Sequence, residues 1–404
     1  MNKVKKIVVV GASLAGVRAC QNLRREGFEG HLTLIGDEKH LPYDRPPLSK
    51  TMLTSDQDPL ELTLVSNSDL SDLGLDLILG EQATALNTER SEVTVGGEEI
   101  RYDGLIIATG ARARKLSKFD DIGGIHTLRT VDDALAIRSG LQSSSSVVIV
   151  GAGFIGSEVA AAAKQRGCLV TIVEANEAPL VRGLGIKVGD AYATLLRSND
   201  IDLRLGVSVE EVHGDESIEG VTLTDGAFVS AELLVVGIGA VPNTEWLTTS
   251  GLSVDDGIVC DETLNAGVRG IYAVGDVAKA PNRWLGDRIR RTEHWTTATE
   301  HAALAAKNLL APENSNSYNS VPFIWSDQGE DRIQIAGDTI DFDEVEILSA
   351  SAEDQAFIAG YRYGDSLAGV MALNNMRSFV KFRRLIAGNG SWRDAVDLSQ
   401  ELQS

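Results

Sequence analysis

The chain has 404 residues, and its 37 basic and 58 acidic side chains leave a formal net charge of −21. This acid excess argues against a general nucleic-acid binder, which needs a basic face. The sequence holds no run of 18 apolar residues that would predict a transmembrane helix, and the apolar run at residues 7–10 is too short for a signal-peptide core. We therefore expect a cytoplasmic protein without nucleic-acid or membrane partners.

The first predicted element is a strand, a turn and a helix. Residues 6–10 are apolar throughout most of their length, as in a buried parallel strand, and residues 17–25 have helical spacing. Between them, Gly11, Ser13 and Gly16 form G-x-S-x-x-G. The dinucleotide-binding pattern has glycine where Ser13 stands, because that glycine lets the backbone approach a pyrophosphate. Taken alone, this motif is equally consistent with an unrelated strand–turn–helix.

An acidic residue is expected about 20 residues after such a motif, at the end of the next strand. Asp37 lies 21 residues after Gly16 and follows the apolar residues 32–35. A carboxylate there would accept hydrogen bonds from an adenosine ribose. Glu38 could do the same, but we favour Asp37.

The same plan recurs after residue 146. Gly151, Gly153 and Gly156 give the complete G-x-G-x-x-G between a predicted strand and helix, and Glu174 follows 18 residues after Gly156. A carboxylate at this place binds a ribose 2′-hydroxyl and repels a 2′-phosphate, so it favours NADH. The two βαβ units together predict two nucleotide-sized sites.

The remaining pattern is mixed. An apolar stretch ends at Gly239, another ends at Gly275 and Asp276, and a helix is predicted over about 296–310. Residues 321–369 alternate short β-rich segments with turns, and a final helix is predicted over about 376–386. The three cysteines are widely scattered and the six histidines form no H-x-x-x-H or H-x-H pair. We therefore predict neither a redox dithiol nor a metal site.

Several segments together resemble one family. They are the two glycine motifs, Pro-Tyr-Asp-Arg-Pro-Pro-Leu-Ser-Lys ending at Lys50, Ala-Thr-Gly ending at Gly110, Tyr-Ala-Val-Gly-Asp-Val starting at Tyr272, Arg-Thr-Glu-His-Trp ending at Trp295, and Trp-Ser-Asp-Gln starting at Trp325. The chain resembles the FAD-dependent pyridine-nucleotide reductases with a glutathione-reductase-like fold. Within them it is most similar to the NADH:ferredoxin reductases of bacterial oxygenase systems. Ser13 and His301, where glutamine is expected, depart from the pattern.

The resemblance implies an α/β fold with two Rossmann-like dinucleotide-binding domains and a C-terminal α+β interface domain. The implied division is an FAD-binding domain at 1–110 and 235–315, an NAD-binding domain at 111–234, and a β-rich interface domain at 316–404. Lys50 would lie beside the flavin ring and pair with Glu158, and both are the catalytic candidates. Without the resemblance, Lys50 would be interpreted as a solvated lysine.

The resemblance also implies which residues hold the cofactors FAD and NADH. Trp295 and Trp325 would lie at the flavin end, where large rings exclude water. The implied cofactor-binding residues are Gly11, Ser13, Leu14, Ala15, Gly16, Asp37, Arg45, Lys50, Ala83, Thr109, Gly110, Arg129, Gly151, Gly153, Ile155, Gly156, Glu174, Gly239, Gly275, Asp276, Trp295 and Trp325.

The missing cysteines distinguish among the relatives. Disulfide reductases of this fold need C-x-x-x-x-C beside the flavin, and no cysteine lies between Tyr43 and Lys50. Electrons would therefore pass outward, from NADH through FAD to an iron–sulfur ferredoxin that feeds an oxygenase. Two basic segments, from Arg283 to Arg291 and from Arg377 to Arg384, are candidate ferredoxin-docking sites. A rubredoxin or other small-carrier reductase, a small-acceptor reductase and a flavin-binding NADH sensor remain as alternatives.

Overall fold

The structure is a computed structural model, and it describes residues 4–116, 122–351 and 355–403. The chain forms two compact units, each built from three separate segments. The first unit comprises 1–44, 60–112 and 241–320, and the second comprises 45–59, 113–240 and 321–404. The three-domain division expected from the sequence stays a prediction.

Ten α-helices lie in the described residues. They are α1 Leu14–Arg25, α2 Thr51–Thr54, α3 Asn67–Asp72, α4 Val131–Ser143, α5 Phe154–Gln165, α6 Val181–Leu184, α7 Ile186–Ser198, α8 Trp295–Leu310, α9 Met376–Ala387 and α10 Trp392–Gln403. The predicted helices at about 296–310 and 376–386 correspond to α8 and α9, whereas α10 was not predicted. Short 3₁₀ helices include Pro46–Ser49, Gly275–Val277 and Arg283–Leu285.

The first unit is centred on a five-stranded parallel sheet. Its order is Ile271–Ala273, Gly104–Ile107, Lys6–Val10, His31–Gly36 and Leu75–Leu79. Lys6–Val10 is buried at four of its five positions, which explains its continuous apolar run. Two three-stranded sheets complete the unit: Ala83–Asn87 with Glu92–Val95 and Glu98–Arg101, and Ile258–Val259 with Ala278–Asn282 and Arg288–Arg291.

The second unit repeats this sheet. Its strands follow the order Asp202–Leu205, Leu169–Glu174, Ser146–Val150, Leu233–Val236 and Ile125–Thr127, and all pairs are parallel. An antiparallel sheet of Val209–His213, Gly220–Leu223 and Phe228–Ser230 lies in the same unit. The strands Ala111–Ala113 and Ala240–Pro242 contain the points where the chain passes between units.

The C-terminal part of the second unit is antiparallel. Five strands are ordered Phe323–Gln328, Asp331–Gly337, Ser366–Leu373, Ala356–Tyr363 and Glu344–Ser351. Helix α9 buries Phe379, Phe382 and Ile386. The alternation of short β segments in the sequence thus corresponds to one sheet with helices after it.

In each parallel sheet, the central strand is followed by a turn that requires glycine. A Cβ on Gly156 would lie 2.1 Å from the carbonyl oxygen of Gly151, and one on Gly16 would lie 1.9 Å from that of Gly11. Gly11 and Gly151 also have φ of +116° and +102°, where L side chains are strained. These glycines let each helix start directly against its strand.

We predict that Gly156→Ala destabilises the protein because the new methyl group meets backbone that cannot move aside. The free energy of unfolding should fall by about 2 kcal/mol or more. Gly183→Ala is the matched control, since a Cβ there meets nothing within 4 Å. It should be neutral or stabilising by up to about 1 kcal/mol. Urea unfolding measures both, and equal midpoints for the two variants would contradict the prediction.

Candidate cofactor-binding and redox sites

The glycine loop of the first unit lies beside two other predicted site residues. Helix α1 starts at Leu14, one residue after Ser13, and Ala15 occupies its first turn. A Cβ on Gly275 would lie 3.2 Å from Cβ of Ala15 and 3.6 Å from that of Ala298 in α8. The structure therefore brings the loop, the Gly275–Val277 helix and α8 together.

The predicted ribose carboxylate is open to solvent. Asp37 follows the strand His31–Gly36 and is exposed, whereas the Glu38 carboxylate accepts a hydrogen bond from the Tyr43 hydroxyl. Glu38 is thus engaged within the chain, and Asp37 as the ribose ligand stays a prediction. Ala83 is buried where it opens its strand.

Thr109 and Gly110 are held by a residue that the sequence analysis missed. Asn243 donates its side-chain amide to the Thr109 carbonyl at 2.9 Å, and its backbone N–H donates to the Gly110 carbonyl at 3.0 Å. The Thr109 hydroxyl donates to the Asn243 carbonyl at 2.9 Å. Gly110 has φ of +61°. No local signal identifies Asn243, because it lies 134 residues from Thr109.

Trp295 is anchored at the start of α8. Its indole N–H donates to Oδ1 of Asp44 at 2.8 Å. Asp44 belongs to the Pro-Tyr-Asp-Arg-Pro-Pro-Leu-Ser-Lys segment that carries the family resemblance, so its position in that segment was the available signal. Asp276, in the same unit, is half-buried.

The second glycine loop, at residues 151–156, leaves open space in front of its middle glycine. A Cβ on Gly153 would meet only the Gly237 carbonyl oxygen, at 4.0 Å, so the space in front of the loop is open. Gly239 has φ of +107° and a Cβ there would also meet nothing within 4 Å. Ile155 is 43% exposed at the start of α5. An open cradle of backbone N–H groups at a helix N-terminus is suited to a phosphate group.

Glu174 is fixed at the edge of this loop. Its Oε2 accepts from the Ala152 N–H at 2.8 Å and its Oε1 from the Asn176 N–H at 2.9 Å. The Asn176 side-chain amide also donates to Oε1, so three of the carboxylate's roughly four acceptor positions are filled and one remains for a ribose hydroxyl. Ala175, Asn176 and Glu177 follow in the sequence, so the residues directly after Glu174 include no cation that could pair with a 2′-phosphate.

Lys50 and Glu158 form an ion pair in the second unit. The Lys50 Nζ lies 2.7 Å from Oε2 of Glu158, and the side chains are 21% and 4% exposed. Lys50 follows the Pro46–Ser49 3₁₀ helix, whose two prolines set φ, and it also donates to the Pro46 carbonyl at 3.2 Å. Of this pair, only the half-buried Lys50 ammonium can stabilise negative charge nearby, and the buried Glu158 carboxylate holds that ammonium in place.

Other predicted residues of the second unit form two groups. The Arg45 guanidinium donates to the Arg129 carbonyl, and the Arg129 N–H donates to Asp133 at 2.8 Å. Trp325 stacks on Phe323 with ring centroids 5.8 Å apart. These contacts hold Arg45, Arg129 and Trp325 in defined positions within the second unit.

The three cysteines cannot provide thiol redox chemistry. Cys20, Cys168 and Cys260 are free and buried. Burial raises the pKa of the Cys20 and Cys260 thiols to about 12, and it also raises the pKa of Cys168. Because the thiolate is the reactive form, these thiols are inert at neutral pH.

Two histidines of the first unit, His294 and His301, should make the free energy of unfolding sensitive to acid. Burial lowers the pKa of His294 to about 4 and that of His301 to about 3, while Asp276 acts in the opposite direction. In the unfolded chain a histidine titrates near 6.5, so below that pH the unfolded state binds more protons. The free energy of unfolding should therefore fall as pH drops from 6.5, by about 2 kcal/mol per histidine at pH 5.

The variant His301→Gln tests this prediction, since glutamine cannot titrate. Its unfolding free energy, measured by urea titration from pH 7.5 to 5, should fall less steeply than that of the unmodified protein. The same slope for His301→Gln and the unmodified protein would exclude His301 as a source.

No helix of the described residues is both long and apolar enough to cross a membrane.

Known proteins resemble this chain over nearly its whole length. The pyridine nucleotide-disulphide oxidoreductase model matches residues 5–302, and the reductase C-terminal model matches 323–403. Rhodocoxin reductase of Rhodococcus erythropolis is 37% identical over 94% of this chain and 89% of its own. The ferredoxin–NAD(+) reductase component of the p-cumate 2,3-dioxygenase system of Pseudomonas putida is 36% identical over 83% of this chain and 82% of its own.

A solved structure shows the same fold. The reductase in the covalent putidaredoxin reductase–putidaredoxin complex superposes with a TM-score of 0.91 at 32% identity, covering 96% of this chain and 94% of that one. The fold class expected from the sequence is thus confirmed, as is the expected enzyme class, an oxidoreductase that uses FAD and NADH. The chain belongs to the pyridine nucleotide-disulphide oxidoreductase family.

Proposed function

We propose that the protein transfers electrons from NADH, through bound FAD, to an iron–sulfur ferredoxin that serves an oxygenase. The observation that carries this is the Lys50–Glu158 ion pair at 2.7 Å, in a segment where a disulfide reductase would need cysteines. All three thiols of the chain are buried and therefore unsuited to redox exchange. Electrons should then pass from the flavin directly to a carrier outside the protein. The names of the relatives, ferredoxin–NAD(+) reductase and putidaredoxin reductase, support a ferredoxin as that carrier.

We assign the first glycine loop to FAD. The N-terminus of α1 would face the pyrophosphate, as helix N-termini favour anions, and the exposed Asp37 would bind the adenosine ribose. Asp276 would bind the ribityl chain. The other proposed FAD contacts are Arg45, Ala83, Thr109, Gly110 and Arg129. When bound, FAD accepts a hydride from NADH and releases electrons one at a time.

We assign the second glycine loop to NADH. The open cradle at Gly153 would receive the pyrophosphate, and Glu174 would bind the 2′-hydroxyl of the adenosine ribose. Ile155, in the first turn of α5, and Gly239 are the other proposed NADH contacts. The Lys50 ammonium would stabilise negative charge that develops on the flavin, and Trp295 and Trp325 would exclude water there.

The α9 helix is the stronger candidate for ferredoxin docking. Arg377, Lys381 and Arg384 stand at positions i, i+4 and i+7, which share one helix face, and all three are exposed. The segment from Arg283 to Arg291 is partly neutralised, since Arg291 pairs with Asp256 and Glu293. A basic stripe on a chain of net charge −21 can steer an acidic ferredoxin that the acidic remainder of the surface would repel.

The cytoplasmic location of the protein, which was expected from the sequence, also stays a prediction.

NADH-driven reduction of cytochrome c with a panel of purified carriers tests the function. The purified protein should show flavin absorption bands, and turnover should depend on added ferredoxin. Rubredoxin and small acceptors in the panel separate the alternative reductases. A sensor would be reduced by NADH and pass electrons slowly to every carrier, and that result would refute the proposal.

Coenzyme choice tests Glu174. We predict that Glu174→Ala narrows the preference for NADH over NADPH by at least about tenfold, since it removes a charge that repels the 2′-phosphate. Glu177→Ala is the control, because Glu177 is exposed and carries the same charge three residues on. The ratio of kcat/KM for the two coenzymes, with ferricyanide as acceptor, is the measurement. An unchanged ratio in Glu174→Ala would remove Glu174 from the site.

Charge reversal on α9 tests the docking surface. We predict that Lys381→Glu combined with Arg384→Glu lowers kcat/KM for ferredoxin by about tenfold at low ionic strength and flattens its salt dependence. Reduction of ferricyanide by NADH should be unchanged. Arg393→Glu on the neighbouring α10, a side chain 90% exposed, is the control. Unaltered ferredoxin kinetics at low salt would place docking elsewhere, with charge reversal at Arg288 and Arg290 as the next test.

A further inference from the structure

The Glu158 carboxylate is held by donors on both of its oxygens. Ser326 donates its hydroxyl to Oε1 at 2.6 Å, while the Ser49 hydroxyl and the Lys50 ammonium donate to Oε2. Glu158, Ser49 and Ser326 are 4%, 2% and 0% exposed. A buried charge needs such partners, because desolvation without them is costly. The carboxylate therefore has an anchor at Ser326 that is independent of Lys50.

Two further residues set the direction of the Ser326 hydrogen bond. Gln328 donates its side-chain amide to the Ser326 oxygen at 3.1 Å, and the Tyr192 hydroxyl donates to the Gln328 carbonyl oxygen. A carboxylate can only accept, so the Ser326 proton must point to Glu158. The Ser326 oxygen then accepts, which turns the Gln328 amide toward it and leaves the Gln328 carbonyl for Tyr192. One acceptor thus orders the whole chain of donors.

The chain of donors connects three elements of the second unit. Ser326 and Gln328 are the buried positions of the strand Phe323–Gln328, and Trp325 directly precedes Ser326 on the alternate face. Tyr192 is fully buried in α7, and burial raises its pKa far above its usual value, so it stays a donor. Glu158 belongs to α5. The position of the carboxylate therefore depends on the C-terminal sheet and α7 as well as on its own helix.

We propose that Ser326, supported by Gln328 and Tyr192, is a positioning residue for the Lys50–Glu158 pair and thereby sets the field that Lys50 exerts on the flavin. The part concerning the flavin rests on the proposed function. Lys50 has a flexible stem and is 21% exposed, whereas Glu158 is fixed, so the ammonium takes its place from the carboxylate. Charges stabilise a reacting group best when they are held in place beforehand.

A double-mutant cycle on the flavin reduction potential tests this role. Ser326→Ala should lower the potential and slow flavin reduction by NADH on the order of tenfold, as when an outer hydrogen-bond partner of a catalytic group is lost. In a Lys50→Met background, Ser326→Ala should produce no further shift. An equal shift in both backgrounds, or no shift in either, would overturn the proposal, because the effect would then not pass through Lys50.

Matched variants separate positioning from general damage. Ser399→Ala removes another buried serine hydroxyl of the same unit, one that donates to the Leu348 carbonyl, and should leave the potential unchanged. Ser326→Thr retains the hydroxyl and should restore the potential. Tyr192→Phe removes only the terminal donor and should act in the same direction with a smaller effect, which keeps the test available if Ser326→Ala folds poorly.

A second cycle requires no flavin signal. Urea unfolding of the full chain as purified should show Ser326→Ala and Glu158→Ala to be coupled, since each removes one end of the same hydrogen bond. Additive effects would overturn the proposed anchoring. If the unmodified protein did not reduce ferredoxin but both cycles gave the expected results, the proposed function alone would be refuted. The positioning role of Ser326 would still hold.

Discussion

The carboxylate of Glu158, which is 4% exposed, is stable only because two other chain segments supply donors to it. Ser49 and Lys50 come from a short segment near residue 50, Glu158 itself from α5, and Ser326 from the C-terminal sheet. These segments are far apart in sequence and belong to one compact unit. Removing any donor leaves a buried charge less compensated, so the geometry of the ion pair and the association of the segments depend on each other.

The two glycine loops show one backbone solution used twice with different openings. In both, a glycine with positive φ follows the central strand of the sheet, and a second glycine lets the helix start against that strand. The loops differ at the middle position, where Ser13 stands in one and Gly153 in the other. The open space at Gly153 and the lack of a cation in the residues directly after Glu174 support the proposed NADH site, whereas Ser13 carries a hydroxymethyl group at the same position of the first loop.

The side chains of this chain limit the redox chemistry that the protein itself can perform. Burial raises the pKa of every cysteine thiol, which removes them from redox exchange at neutral pH. Lys50 supplies a fixed positive charge instead. The strong acid excess of the whole chain then confines favourable contacts with an acidic partner to local basic surfaces such as the exposed face of α9.

Local sequence determined the parts of this protein that depend on local rules. Apolar runs, glycine spacing and the acid after the second strand predicted both strand–loop–helix units, because each is formed by residues close together in the chain. Helix α10 escaped prediction, although its Ser391 and Asp394 make mutual hydrogen bonds typical of a helix start. Only tertiary structure joined Ser326 to Glu158, 168 residues apart, and paired Arg291 with Asp256. Such contacts depend on how whole elements pack, and no sequence period records which distant side chains that packing brings within hydrogen-bond distance.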